Sequence, residues 1–173
     1  RRAGKLVKLK ILILDVSRAH FHPEAEREIY IDLPPEDAED GMVGLLKRTI
    51  YGTRDAAHSW DKFFNKVSED TGWKAGLACP CIYCKPGTFT IGWRHGDDII
   101  IVGEEADITA DHEYLSKHMI LKKRAMLGWD DSDDKQIDVL NRLITISREN
   151  GNRTIEFEPD PRHAELIVRE FGL

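Results

Sequence analysis

Cysteine is scarce in this chain: there are three in 173 residues, all in one C-x-C-x-x-C run at Cys79, Cys81 and Cys84. That rules out a disulfide framework and falls short of a four-ligand zinc set unless a distant histidine completes it. The run reads instead as reduced thiols on or beside a buried strand. Long apolar runs are also missing. Nothing approaches the ~20 residues that span a bilayer, and no signal peptide opens the chain. The expected setting is intracellular, cytoplasmic or nuclear, with no membrane partner. An excess of positive charge is absent too: 25 Lys and Arg against 31 Asp and Glu leave a net charge of −6. Coating nucleic acid by bulk attraction is therefore excluded, and any such contact must be local. The candidate is residues 1–10, with Arg1, Arg2, Lys5, Lys8 and Lys10 and no acid. There is no internal repeat and no low-complexity tract.

What is present fits one globular domain over residues 1–173, with 41% hydrophobic and 32% charged residues and enough length to bury a core. The most informative stretch is TFTIGWRHGDDIIIVG, Thr88 to Gly103. Phe89, Ile91 and Trp93 alternate with Thr90 and Gly92, Gly96-Asp97 is a two-residue turn signal, and Ile99 to Val102 is continuous apolar sequence. This predicts a β-hairpin with Asp97 and Asp98 at its tip. Aspartate is an ordinary turn residue, but two adjacent carboxylates beside strands this apolar repel each other and lose hydration unless a cation or solvent faces them. A third acid comes from near the N-terminal end of the chain. Lys5 to Asp15 (KLVKLKILILD) reads as a central strand that delivers Asp15 at its C-terminal end.

The remaining elements follow from punctuation and period. Glu28 to Leu33 is a short strand stopped by Pro34-Pro35. A helix starts at Asp55, with Trp60, Phe63, Phe64 and Val67 at helical spacing as a core stripe and Gly72 as its stop. Ile82 to Cys84 is a short strand, Thr109 to Met119 a helix, and Leu121 to Met126 a strand. Asp130 to Asp138 superficially suggests a calcium loop, but Lys135 stands at the required glycine and Asn141 at the bidentate glutamate, so it reads as a solvated loop. Leu143 to Phe157 is a second hairpin turning at Asn150-Gly151. Asp160 caps a last helix with Pro161 at its first position; Ala164, Ile167, Val168 and Phe171 share a face, and Gly172 ends it.

One acid at a strand end and two at a hairpin tip make a plausible cage for two divalent cations. Mg²⁺ prefers oxygen ligands and keeps waters that phosphate oxygens can replace. Two ions ~4 Å apart serve phosphoryl or nucleotidyl transfer by in-line displacement. A receiver-like phospho-acceptor domain also places an acid after an apolar strand, but it needs strictly alternating strands and helices, which two hairpins contradict.

The order LDVSRAHFHPEAEREIYIDLPPE, LLKRTIYGTRDAAHSW, GWKAGLACPCIYCKPG, HGDDIIIVG and REFGL resembles the reverse transcriptase of copia-type long-terminal-repeat retrotransposons, from about residue 11 to the end. The resemblance implies an α+β fold: a polymerase palm-like antiparallel sheet with helices packed on one face, and the hairpin and helix of residues 143–173 leading towards the thumb or connection. It implies an RNA-directed DNA polymerase using two Mg²⁺ or Mn²⁺ ions, an RNA or DNA template-primer and a deoxynucleoside triphosphate, within a polyprotein that also carries integrase and RNase H. By position, Asp15 and Asp97 would bind both metals, Asp98 would support them, and the Val16 carbonyl would add a ligand. The amides of Arg18 and Ala19 would face the triphosphate, His20 would screen the sugar 2′-hydroxyl, and Gly52 would let the backbone approach nucleotide and template.

The sequence also departs from the family. His95-Gly96 replaces the usual Tyr-Val before the paired acids, and His20 replaces a bulky aromatic, which implies weaker sugar discrimination. Asp55, Ala57 and His58 stand for Gln, Pro and Arg, Cys79 for Asp, and Asn141-Arg142 for the primer-gripping Leu-Gly. The chain starts just before the first catalytic acid, so the fingers segment with its triphosphate-binding cations is expected to be missing. A decayed or repurposed palm that acts solely as a binding module is the alternative expectation.

Overall fold

The computed structural model describes residues 8–149 and 151–172. Its centre is strand β1 (Leu9–Val16), whose unbroken apolar run is explained by burial on both faces: Leu12, Ile13 and Leu14 are each fully buried. Beside it lies β7 (Asp98–Glu104), and the chain between them supplies β2 (Tyr30–Ile31), β3 (Gly44–Leu45), helix α1 (Ala56–Asp70), β4 (Lys74–Ala75), β5 (Ile82–Cys84) and β6 (Ile91–His95). Helix α2 (Glu105–Leu115) and strand β8 (Leu121–Leu127) follow. The main sheet has the order β4-β5-β6-β7-β1-β8, and every neighbouring pair in it is antiparallel. Strands β2 and β3 form a separate two-stranded ribbon.

Alternation sorts the two faces of this sheet. Leu12, Leu14, Ile99 and Ile101 point to one face and pack with Trp60, Phe64 and Val67 of α1 and Ile108 and Leu115 of α2. Ile13 and Ala125 point to the other, where they meet Val139 and Ile146 of a second, three-stranded sheet. That sheet has the order β11-β10-β9, from β9 (Gln136–Val139), β10 (Arg142–Glu149) and β11 (Asn152–Glu158). Helix α3 (Pro161–Phe171) closes the chain, with the Asp160 carboxylate accepting from the Arg162 amide at 3.0 Å and Gly172 in the left-handed region.

The expected α+β class with an antiparallel sheet is observed, and α1 and α2 share one face of it. Helix α3 does not join them: none of its residues is buried. The hairpin turn retains Gly151 at φ +80°, whereas Asn150 lies outside the described residues. Two expectations need correction. The helix expected over 109–119 runs from Glu105 to Leu115, because Glu105 and Asp107 sit in its first turn, where carboxylates complement the helix dipole. The 130–138 segment is a loop only as far as Lys135: Gln136 to Asp138 begin β9, and lysines tie the loop down. Lys8 pairs with Asp130 at 2.9 Å, and Lys10, 6% exposed, bonds Asp133 at 2.6 Å and Glu105 at 2.8 Å. Burial works against the Lys10 ammonium, but the bonds and charges of Asp133 and Glu105 outweigh it and hold its pKa above the ordinary lysine value. The same pairs engage two members of the basic segment with acids, Lys8 staying largely exposed; Arg1, Arg2 and Lys5 lie outside the described residues. The expectation of reduced thiols stands: Cys79 and Cys84 are exposed, Cys81 is intermediate, and all three are free.

Candidate active site

Register brings the acids of β1 and β7 together. Asp15 is directly opposite Asp98, and on the far side of each strand Asp98 faces His95 and Asp15 faces Lys122. Directly opposed residues share a face, so one row across β6, β7, β1 and β8 reads His95, Asp98, Asp15, Lys122. Parity puts this row on the face of Ile13 and Ile100, away from α1 and α2. Asp97 occupies the turn after Gly96, whose φ of +62° suits glycine, and its carbonyl accepts from the Val16 amide at 2.8 Å. The turn is thereby pinned to the end of β1, which puts Asp15, Val16, Asp97 and Asp98 at one edge of the sheet.

Electrostatics at this edge is unbalanced towards negative charge. Burial pushes the Asp98 carboxyl up from its ordinary value; Arg124 pulls it down, and the charges of Asp97 and Asp15 push it up again. The Arg124 guanidinium is 3.5 Å from Asp98 Oδ1 and also donates to the Asp138 carbonyl at 2.7 Å. Arg124 is placed by a register shift in β8, where Ala125 faces Ile13 but Lys123 faces Leu14. Three carboxylates and a peptide carbonyl are hard oxygen donors, and Asp98 is an anion that a cation would stabilise, so the donor set fits Mg²⁺ or Mn²⁺. Among the described residues, however, no three His, Cys, Asp or Glu side chains are gathered closely enough to hold an ion.

The expected nucleotide-side residues also meet. Arg18 adopts φ +55°, a conformation that costs a non-glycine residue ~1–2 kcal/mol, and it starts a single 3₁₀ turn over Ala19–Phe21. Ala19 is buried at 1% exposure, while His20 stacks on Tyr51 with ring centroids 4.4 Å apart and planes at 24°. The Thr49 hydroxyl donates to the His20 carbonyl. Gly52 follows Tyr51 at φ +87° with open space where a Cβ would stand, so backbone conformation rather than crowding demands glycine there. Tyr51, Arg124 and Lys122 were not among the expected site residues. Tyr51 stood beside Gly52 in sequence, but no period marked it; the two β8 cations depend on a register no sequence pattern reveals.

Residues 7–129 match the family model described as reverse transcriptase (RNA-dependent DNA polymerase). The chain is 30% identical over 108 residues to the retrovirus-related Pol polyprotein from transposon TNT 1-94 of Nicotiana tabacum, covering 59% of this chain and 8% of that relative. It is 23% identical over 137 residues to the transposon Ty1-GR3 Gag-Pol polyprotein of Saccharomyces cerevisiae, covering 78% of this chain and 8% of that relative. The chain thus spans about 8% of the length of these polyproteins. No solved structure matches it. No helix among the described residues is long and apolar enough to cross a membrane. The matched span contains β1, the β6–β7 hairpin and every acid of the row, and by that match the chain belongs to the reverse transcriptase family in the form found in copia-type retrotransposon Pol polyproteins.

Proposed function

We propose that this chain is the palm of an RNA-directed DNA polymerase and that the edge bearing Asp15, Asp97 and Asp98 performs nucleotidyl transfer. The observation that carries the reading is the pairing of Asp15 with Asp98 across adjacent strands, with the Asp97 carbonyl tied to Val16. In the reaction a primer 3′-oxygen forms a bond to the α-phosphorus of a deoxynucleoside triphosphate, and the bond from that phosphorus to pyrophosphate breaks. Two divalent cations, held by Asp15, Asp97, Asp98 and the Val16 carbonyl, would supply charge stabilisation for the attacking and leaving oxygens.

The protein's own part is positioning and charge. Asp15 and Asp98 concentrate negative charge that would recruit the cations, while Arg124 offsets part of the burial that raises the Asp98 carboxyl. The turn opened by Arg18 aims the amides of Arg18 and Ala19, the first of a 3₁₀ turn and so without partners inside it, towards the triphosphate. The His20–Tyr51 stack forms one wall of the sugar pocket, and Gly52 lets template and nucleotide approach the backbone. RNA or DNA template-primer is the partner this reading requires, and the flanking polyprotein would supply integrase and RNase H.

Primer extension on an RNA template with Mn²⁺ tests the reading, comparing the native chain with Asp15→Asn. Incorporation by the native chain that the variant lacks is the expected result. Equal background from both would contradict it and favour a palm that serves as a binding module.

A further inference from the structure

Directly behind the acidic turn, on the helix side of the sheet, lies a group of side chains that the nucleotidyl-transfer reading does not use. The Trp60 indole Nε1 donates to the Gly96 carbonyl at 2.9 Å. Arg94 Nη1 reaches the same carbonyl at 3.4 Å, and its Nη2 bonds Asp61, the residue after Trp60 in α1. Arg94 is 5% exposed and lies over the rings of Trp60 and Phe64, 5.9 and 5.2 Å from their centroids. Gly96 is the residue that opens the turn to Asp97. Two donors from beneath thus converge on the one carbonyl whose position sets where Asp97 and Asp98 go.

Arg94 is hard to explain as a stabilising residue. In β6 it faces Ile99, inside the layer that Leu12, Phe64 and Ile101 fill with apolar groups. Its Nε is buried with no hydrogen-bond partner among the described residues, and burial works against its charge, which Tyr83 and Asp61 must offset. Its Asp61 partner is half exposed, so the cost of burial falls on the guanidinium, and an apolar residue of similar volume commonly matches or betters such a buried charge in stability. What an apolar residue could not supply is the second anchor on Gly96.

We infer that Trp60, Asp61 and Arg94 are positioning residues that clamp the acidic turn to α1. The clamp has a further consequence because of where α1 starts. Its N-cap, Asp55, stands three residues after Gly52 of the nucleotide-side loop, and its Trp60-Asp61 step holds the acid-bearing turn. Helix α1 thereby links the two halves of the site. The inference rests on the nucleotidyl-transfer reading for its purpose, but its geometry can be tested separately.

The test uses the 173-residue chain with two variants: Trp60→Phe, which keeps a ring and removes the N–H, and Arg94→Met, which keeps volume and removes both donors. Amide hydrogen exchange is followed at Asp97 and Asp98 and, as reference, at Leu12 and Ile13 of β1, alongside Tm and Mn²⁺ calorimetry. Each variant should speed exchange in the turn roughly tenfold, as loss of one anchoring hydrogen bond implies, and leave β1 unchanged. Arg94→Met should keep or raise Tm, and Arg94→Lys should restore part of the protection. Unchanged exchange in the turn would overturn the clamp. So would faster exchange throughout the sheet with a parallel fall in Tm, which would make Arg94 a core-packing residue. If the native chain binds Mn²⁺, both variants should bind it about tenfold more weakly; unaltered affinity would contradict a role in placing the acids. A native chain that binds no Mn²⁺, with the exchange pattern intact, would overturn the nucleotidyl-transfer reading and not the clamp.

Discussion

The main sheet and the C-terminal annex obey the same patterning rules with different results. In β1, β7 and α1 apolar periodicity ends in burial: Phe64 and Leu12 are at 0% exposure, and Trp60 at 1%. In residues 152–171 the periodicity is as clear, yet Ile155, Phe157, Ile167 and Phe171 remain 55–75% exposed, and no residue of α3 is buried. A hydrophobic stripe specifies an element and a face; what covers that face is a separate fact. The annex meets the main sheet through β9 and β10, where Val139 and Ile146 cover Ile13 and Leu127, and beyond that line its apolar face has no cover among the described residues.

That contrast is quantitative, and the largest test is a matched pair of truncations. Phe64→Ala should cost about 3–5 kcal/mol in urea denaturation, because it opens a cavity in a fully buried cluster. Phe171→Ala should stay within ~0.5 kcal/mol of the native chain. A comparable loss at both would mean that α3 is packed. Next come the ion pairs. Asp111, 2% exposed, accepts from Trp73 Nε1 at 2.9 Å and from Lys85 at 2.7 Å, so Asp111→Ala strands the buried Trp73 donor and leaves a partly buried ammonium unpaired, and should cost about 3 kcal/mol. Asp160→Ala, which removes the cap of α3, should leave the main unfolding transition where it is and speed amide exchange in α3 alone.

The pH dependence sharpens the comparison within the main sheet. Burial raises the Asp98 carboxyl above its unfolded value, and the neighbouring acids add to this. A raised folded pKa favours the fold when the group is protonated; that advantage is complete below the unfolded value near pH 4 and is lost as pH rises through the folded value. At neutral pH Asp98 therefore works against stability. Asp98→Asn should raise Tm at pH 7, with the gain shrinking towards zero in acid, and thermal melts across pH 3–8 would show it. A Tm lowered at pH 7 would mean that the Arg124 contact outweighs the crowding of charge.

The legible part of this molecule was its local punctuation. Gly96-Asp97 announced the turn, Asp160-Pro161 the start of α3, and the Trp60–Val67 spacing the buried face of α1, and all three are observed. Asp15 could be placed at a strand end, but its pairing with Asp98 depends on a register between strands far apart in sequence. Arg94 was less visible still: a charge at an inward position of an alternating strand was the available signal, and its meaning depends on α1 supplying Trp60 and Asp61. Lys10 was read as part of a basic segment because nothing local shows that Glu105 and Asp133 fold back onto it. Acid-rich segments were the least legible, since Glu105 and Asp107 serve a helix start and Asp133 a buried lysine, and composition does not separate either role from solvation.

The central claim is that Asp15, Asp97 and Asp98 form one cation-binding edge. Mn²⁺ calorimetry on the native chain and on Asp97→Asn tests it most directly. The account predicts that the native chain binds two ions and that the variant loses at least one. Identical titrations from the two proteins would show that no assembled metal site exists at that edge, and would leave the family membership without its chemistry.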